Sequence, residues 1–375
     1  MGLLGRAPAA EPSPIPASVE SLATAARPTT RRRFKAAEAR RTFTLTFVMV
    51  VIVAIFLAPI LNSLMTSLQN NAQVGEADNP GYPAVPEAYV WQGQPYDLYT
   101  VPLSDGTTKK LALVVKGRSS SQFVDPADQS AAPMTWEGSW HTLQRSWVFS
   151  PNWKNYADVW DLINYPRLLF NTIAIALIGM VGTLVSCTLV AYGFARFRIP
   201  GRGLLFTLLV ATIFLPSAVT VIPQYTVFSN IGWVGTWLPL LVPAFFANAY
   251  DVFLLRQYLL TLPPELDEAA AIDGAGPFRI LRSVIIPQAW PVIIAVAIFH
   301  LVYSWNDFFG PLIYLSTKPD LQTLAVGLAG FNGIHYRNPE YIQAGTLMTM
   351  IIPVLLFLVF QRFFTRGIVI TGVEK

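Results

Sequence analysis

Six apolar runs, each about as long as a bilayer crossing, constrain this chain more than any other feature: Phe43 to Met65, Leu168 to Ala195, Leu204 to Tyr225, Trp237 to Tyr258, Trp290 to Phe309 and Tyr341 to Phe364. A hydrocarbon core of about 30 Å is crossed by about 20 helical residues. No water is present there to satisfy an open backbone, so runs of this length predict α-helices. Composition agrees: 53% of the 375 residues are hydrophobic, 13% are charged, and the mean hydropathy is +0.45. The expected fold class is an all-α polytopic membrane protein with six transmembrane helices.

The formal net charge of +4 and the pI near 9.1 do not point to nucleic acid, because the basic residues lie beside apolar runs rather than on one soluble face. Residues 1–42 read as a disordered, basic cytoplasmic tail rich in Ala, Pro and Arg, ending in Arg31, Arg32, Arg33, Lys35, Arg40 and Arg41. The following run, taken as 43–65, exceeds the ~7–15-residue core of a cleaved signal peptide and is expected to remain as an anchor. Six crossings put both ends on one side. Of the 26 Lys and Arg, the larger share falls on that side, in short loops, which predicts a cytoplasmic (inner) membrane protein with both termini cytoplasmic. The one cysteine, Cys187, lies within an apolar run and excludes an intramolecular disulfide. His141, His300 and His335 lack partners at ligand spacing, so no metal is expected.

Residues 66–167 are polar and rich in Pro and Ser, and are expected to form a small external insertion containing β structure. Tyr96 to Val101 alternates, Asp105-Gly106 supplies a turn and Leu111 to Val115 returns, which predicts a hairpin. Ser119 to Pro133 reads as loop, and the Trp residues read as core or membrane-edge side chains before ligand contacts. Residues 168–375 form the core, with five more helices and a cytoplasmic loop over 259–289.

No Gly-rich loop ending in Gly-Lys-Ser/Thr, no Gly-x-Ser-x-Gly elbow and no paired intramembrane carboxylates at helical spacing occur. The chain therefore has no recognisable ATP-binding or catalytic motif of its own. The loop from Thr261 to Pro291 is more ordered in sequence than a connector needs to be. Pro264 suits a first helical turn, and Glu265, Asp267 and Glu268 match the positive end of a helix dipole. Ala269, Ala270 and Ala271 continue the helix with little bulk, and Gly274 can take the left-handed conformation that ends it. A second short helix is expected from Pro277, stopping before Pro287. Small residues would let another protein's backbone approach closely. On the residues alone, the segment could equally be a long, well-capped connector.

Glu268-Ala269-Ala270, Asp273-Gly274-Ala275, Ile285 and Pro287 closely resemble the EAA motif of binding-protein-dependent ABC importer permeases. The resemblance covers roughly Asn152 to the C-terminus. It includes Asn171-Thr172 at the opening of the second span, Ala191 to Phe197 with Pro200-Gly201-Arg202, Phe253 to Gln257, Ser304 to Phe308, and the tail near Arg366-Gly367 and Gly372-Val373. Several of these segments are similar to the carbohydrate, maltose-type branch, and the long insertion after the first span is the departure. The resemblance implies a six-helix importer arrangement of the maltose-permease type and a coupling helix that docks on a dimer of cytoplasmic ABC ATPases. Glu265, Glu268, Ala269, Ala270, Asp273 and Gly274 are the expected coupling residues. It also implies an external solute-binding protein, a sugar cargo and a second permease subunit. That subunit is generally a different chain in this branch, although a copy of this one is the alternative. ATP would be bound by the partner ATPases, and no cofactor is expected in the chain itself.

Ionisable groups at membrane depth are costly and usually face a cavity or a partner, which marks Asp251 and Asp307 as candidates for the substrate pathway. Asn248 neighbours the first, and Tyr303 and Asn306 the second; aromatic faces with amide and carboxylate acceptors suit a hydroxyl-rich ligand. The competing reading has Asp307 capping a helix end and Asp251 bonding a neighbouring helix. Pro216 and Pro223 should kink or break the third span. Two other function classes are open to a chain of this kind. One is a secondary transporter using Asp251 and Asp307 for ion coupling; the other is a membrane-anchored receptor or assembly factor whose insertion is the working part.

Overall fold

A computed structural model describes residues 28–76, 78–103, 105–128, 132–333 and 338–367; the side chains of 28–37, 39, 217 and 362–367 lie outside that description. Among the described residues, five helices are long and apolar enough to cross a membrane, at Arg40–Ser67, Tyr165–Arg196, Leu238–Leu259, Pro277–Asn306 and Pro339–Gln361. A sixth crossing results if the bent pair Arg202–Phe214 and Ala218–Asn230 is one span. They are called the first to sixth spans in chain order, with the bent pair as the third.

The chain divides into two compact units, residues 1–62 and 63–375. In the first unit the helix that carries the first span already begins at Pro28, so the expected irregular tail reaches at most to residue 27. Residues 1–27 lie outside the described residues, as do Gly372 and Val373. The helix extends upstream because Ala, Arg, Lys and Glu are all good helix formers. Phe43, Phe47, Met49 and Phe56 are exposed along it, as a lipid-facing helix requires.

In the second unit, three spans share one core. Cys187, Ala191 and Ala195 of the second span, Val252, Leu255 and Leu259 of the fourth, and Ile285, Ala289, Ile293 and Val296 of the fifth are all buried together. Lipid tails are as apolar as leucine, so close packing, rather than hydrophobicity, has to hold such helices together. The second span supplies small residues for it. A Cβ built on Gly179 would sit 2.8 Å from His300 Nε2, and one on Gly182 2.8 Å from the Phe245 ring.

Two spans are interrupted. In the third, the helix Arg202–Ala211 tightens to a 3₁₀ turn and stops at Leu215, which is extended as residues before proline tend to be. A new helix, Ser217–Asn230, leaves at 99° after Pro216 and accommodates Pro223 inside it. The fourth span, expected as one continuous helix, consists of Leu238–Leu241, a 3₁₀ turn Val242–Phe245 and a helix Ala249–Leu259 restarted by Asn248. Pro239 and Pro243 remove backbone donors there, which a hydropathy window does not register. The second short helix does not stop before Pro287 either. From Pro277 the chain passes through a π-helical turn, Leu281–Ile285, directly into the helix Ile286–Asn306. The wider turn takes Pro287 into the new helix's opening, where a missing N–H matters least.

Between the first and second spans lies a sheet of order β2-β3-β4-β5-β6, made of Ala88–Trp91, Gln94–Pro102, Thr108–Val115, Ser120–Val124 and Met134–Glu137. β1 (Ala84–Pro86) pairs with β8 (Trp147–Phe149), and β7 (Gln144–Arg145) joins β3. β3 and β4 form the expected hairpin, with Leu98 opposite Ala112 and a turn in which Asp105 Oδ1 accepts from Thr107 N at 2.9 Å. The stretch from Ser119, expected as loop, holds β5. Its Ser121, Phe123 and Val124 are buried while Ser120 and Gln122 are exposed, a pattern masked by polar composition. Tyr99, Val101, Leu111, Leu113 and Phe123 form the core of the sheet. Trp136 and Trp140 pack edge-on to Phe123 and Tyr99, which gives both a structural role.

The sheet-bearing part ends at Phe149, because the helix Lys154–Leu162 belongs with the spans. Its Val159 is buried with Leu328 and Ala344, and Asp158 Oδ2 accepts from the Tyr341 hydroxyl at 3.1 Å. Asn171 and Thr172 lie two turns inside the second-span helix rather than at its opening, and pin a loop. Asn171 Nδ2 donates to the Asp320 and Gln322 carbonyls at 2.8 Å each, and Thr172 Oγ1 accepts from Leu324 N at 2.9 Å.

Candidate functional site

Between the fourth and fifth spans the chain forms an elbow. Asp267 N and Glu268 N donate to the Pro264 carbonyl at 3.0 and 3.2 Å, opening the helix Glu265–Ile272 with Glu265, Asp267 and Glu268 in its first turn. At its far end Ala275 N reaches the Ala270 carbonyl and Gly274 N the Ala271 carbonyl, both at 3.0 Å, with Gly274 at φ 78°. This pair of bonds around a left-handed glycine is a Schellman cap, which satisfies the carbonyls a helix end leaves open.

Five of the expected coupling residues, Glu265, Glu268, Ala269, Asp273 and Gly274, lie on the exposed side of the elbow. Ala270 is set apart from them and packs against the buried cluster beneath. Ile272 and Phe278, 86% and 69% exposed, also stand on the outer surface of the elbow. Neither was legible in the sequence, because nothing in one sequence says which large side chains of a short helix remain uncovered.

The elbow is fastened to the spans behind it. Arg196, at the end of the second span, places Nε 2.9 Å from Asp267 Oδ2, and both side chains are mostly buried at 13% and 19% exposure. The contact is one of opposite charges at short range, since neither group makes an aligned hydrogen bond across it. Arg196 Nη2 donates to the Leu262 carbonyl at 3.0 Å. Tyr192 bonds the Pro277 carbonyl at 3.4 Å, and Tyr258 the Gln288 carbonyl at 3.1 Å. Arg256 lies 4.1 Å over the Phe206 ring, a cation–π contact joining the fourth span to the third. These contacts tie both arms of the elbow to the second, fourth and fifth spans. A force on the elbow is therefore transmitted to packed helices rather than absorbed by a slack loop.

The five pathway candidates fall into two groups. Asn248 caps the restarted helix in the fourth span: its Oδ1 accepts from Asp251 N at 2.9 Å and its Nδ2 donates to Asp251 Oδ2 at 2.7 Å. Asp251 is thus buried and satisfied within its own helix rather than by a neighbouring one. At the end of the fifth span Asp307 Oδ1 accepts from Gly310 N at 3.1 Å, which is the capping role, while Asn306 Nδ2 donates to the Val302 carbonyl at 2.8 Å and Tyr303 is exposed. No hydrogen bond links the two groups among the described residues.

Residues 185–368 match the family model described as the binding-protein-dependent transport system inner membrane component. An osmoprotective compounds uptake permease protein of Synechocystis sp. is 32% identical over 241 residues, covering 64% of this chain and 80% of that one. An sn-glycerol-3-phosphate transport system permease protein of Escherichia coli is 33% identical over 251 residues, covering 66% and 86%. Among solved structures, a chain of a bacterial ABC transporter involved in import of the acidic polysaccharide alginate shares the fold. Its TM-score is 0.60 at 17% identity, over 88% of this chain and 98% of that one.

Proposed function

Because this chain belongs to the family of binding-protein-dependent transport system inner membrane components, we propose that its cargo is a mono- or oligosaccharide and that its elbow couples transport to partner ATPases. The chain is a permease subunit of an ABC importer, a transport component of the inner membrane. In this reading Glu265, Glu268, Ala269, Asp273 and Gly274 meet the ATPase, with Ala270 setting how the helix seats on its own subunit. A dimer of such ATPases would bind and hydrolyse ATP, closing on the docked elbows. Movement of each elbow as a rigid piece would switch the attached spans between inward- and outward-facing states. Both termini lie in the cytoplasm, which puts the sheet between the first and second spans outside, where a solute-binding protein delivers cargo. The other half of the pathway comes from a second permease subunit, of a different chain.

The observation that carries this reading is the Schellman-capped elbow anchored by Arg196, since an ion-driven carrier or an anchored receptor has no use for a rigid cytoplasmic docking piece. The test is uptake by the complex reconstituted with its ATPase and solute-binding protein. Saccharide accumulation should require internal or external ATP at the ATPase side and be indifferent to proton and sodium gradients. Accumulation that follows an ion gradient without ATP would transfer the chain to the secondary-carrier class.

A further inference from the structure

Among the described residues, charge in the second to fifth spans is concentrated near their ends. Arg167 and Arg196 sit at the two ends of the second span, Arg202 opens the third, Arg256 is in the last turn of the fourth, and Arg279 and Arg282 are in the opening turns of the fifth. Four of these are engaged where they stand: Arg167 with the Asp320 carbonyl, Arg196 with Asp267, Arg202 with the Phe197 carbonyl, and Arg256 with the Phe206 ring. Between these ends the fourth span carries Asp251, and Asp307 follows the last residue of the fifth. Their hydrogen bonds come from Asn248 and from Gly310 N, which are neutral donors, and neither forms a salt bridge among the described residues. The histidine at that depth, His300, is bonded to Thr183 Oγ1 at 3.1 Å.

A carboxylate satisfied by neutral donors keeps its field, and that field is stronger in low-dielectric surroundings than in water. The fourth span is interrupted next to Asp251, and irregular backbone at membrane depth is tolerated where it is buried in protein or lines a water-filled cavity. Asn248 and Tyr250 beside Asp251, and Tyr303 and Asn306 beside Asp307, are exposed and offer amide and phenol groups to hydroxyls.

We propose that Asp251 and Asp307 give this subunit's half of the pathway its charge selectivity, admitting uncharged, hydroxyl-rich cargo and excluding phosphorylated or uronate-bearing cargo. The inference rests on the permease reading above. It sets the chain apart from the relative named for sn-glycerol 3-phosphate, despite 33% identity.

Local charge can be measured directly, because the chain has a single cysteine, Cys187. In the purified complex carrying Cys187→Ser, new thiols from Tyr250→Cys or Asn306→Cys are modified with a cationic and an anionic methanethiosulfonate of similar size. Rates are read by mass spectrometry of this chain and referred to a free thiol in solution. The cation-to-anion rate ratio is expected to exceed the free-thiol ratio by about ten-fold. It should fall back toward that reference with Asp251→Asn for the first site and Asp307→Asn for the second. A ratio at or below the reference, or one unmoved by either substitution, would overturn the charge selectivity and leave the permease reading intact. Thiols that neither reagent reaches would overturn the aqueous pathway itself, and the inference with it.

Discussion

Gly274 does its work without touching anything. A Cβ built there meets no atom within 4 Å, so its requirement is purely one of backbone: φ is 78°, where L side chains pay roughly 1–2 kcal/mol. Gly274→Val should therefore loosen the elbow and lower uptake per ATP hydrolysed, whereas Gly274→Asn, which tolerates the left-handed region, should retain most of it. Equal uptake in both variants would remove the elbow's geometry from the mechanism. Arg196 poses the complementary question. Its short contact with Asp267 is mostly shielded from water, and a double-mutant cycle of Arg196→Ala and Asp267→Asn, read by thermal unfolding of the purified chain, should give a coupling of about 1 kcal/mol. Strict additivity would reduce the pair to two unrelated charges. The glycine was legible in the sequence because capping is local, carried by Pro264, an acidic first turn and Gly274 within a dozen positions. The arginine's partner was not, since nothing in one sequence says which of the loop's carboxylates folds back onto the end of the second span.

At the scale of elements, the apolar runs predicted the crossings well because a bilayer imposes one length on all of them. The interruptions were read unevenly. Pro216 announced the break in the third span, but Pro239, Pro243 and Asn248 were absorbed into a run hydrophobic enough to look continuous. The hairpin β3–β4 was visible in its alternation and its Asp-Gly turn, while β5 was hidden by Ser120 and Gln122 on its outward positions and by a serine, Ser121, on a buried one. The sheet also holds a pH-sensitive contact. Lys110 Nζ lies 2.7 Å from Glu87 Oε2, and this bond together with one from Ser146 holds the Glu87 carboxyl below the usual carboxylate range. A depressed folded pKa contributes stability that is present above the unfolded value of about 4.3 and lost as pH falls through the folded one. With the pair open to solvent, the contribution stays below about 1 kcal/mol. Acid titration of tryptophan fluorescence should show the low-pH limb of unfolding shifted in wild type but flattened in Glu87→Gln. Identical limbs would show that the contact contributes nothing to stability.

For the whole molecule, the second, fourth and fifth spans form one packed body with the elbow fixed to it, and under the proposed function that continuity would let a partner ATPase drive the spans. Ile272 and Phe278, exposed on the elbow, are the apolar side chains that the proposed ATPase would cover. The most direct measurement replaces Ile272 with a photo-crosslinking amino acid in the full chain and illuminates the purified complex, with the same residue at the exposed Val90 of the sheet as reference. The account predicts an adduct with the ATPase subunit from position 272 and none from position 90. An elbow that never forms that adduct, or forms it no more than the sheet does, would contradict it.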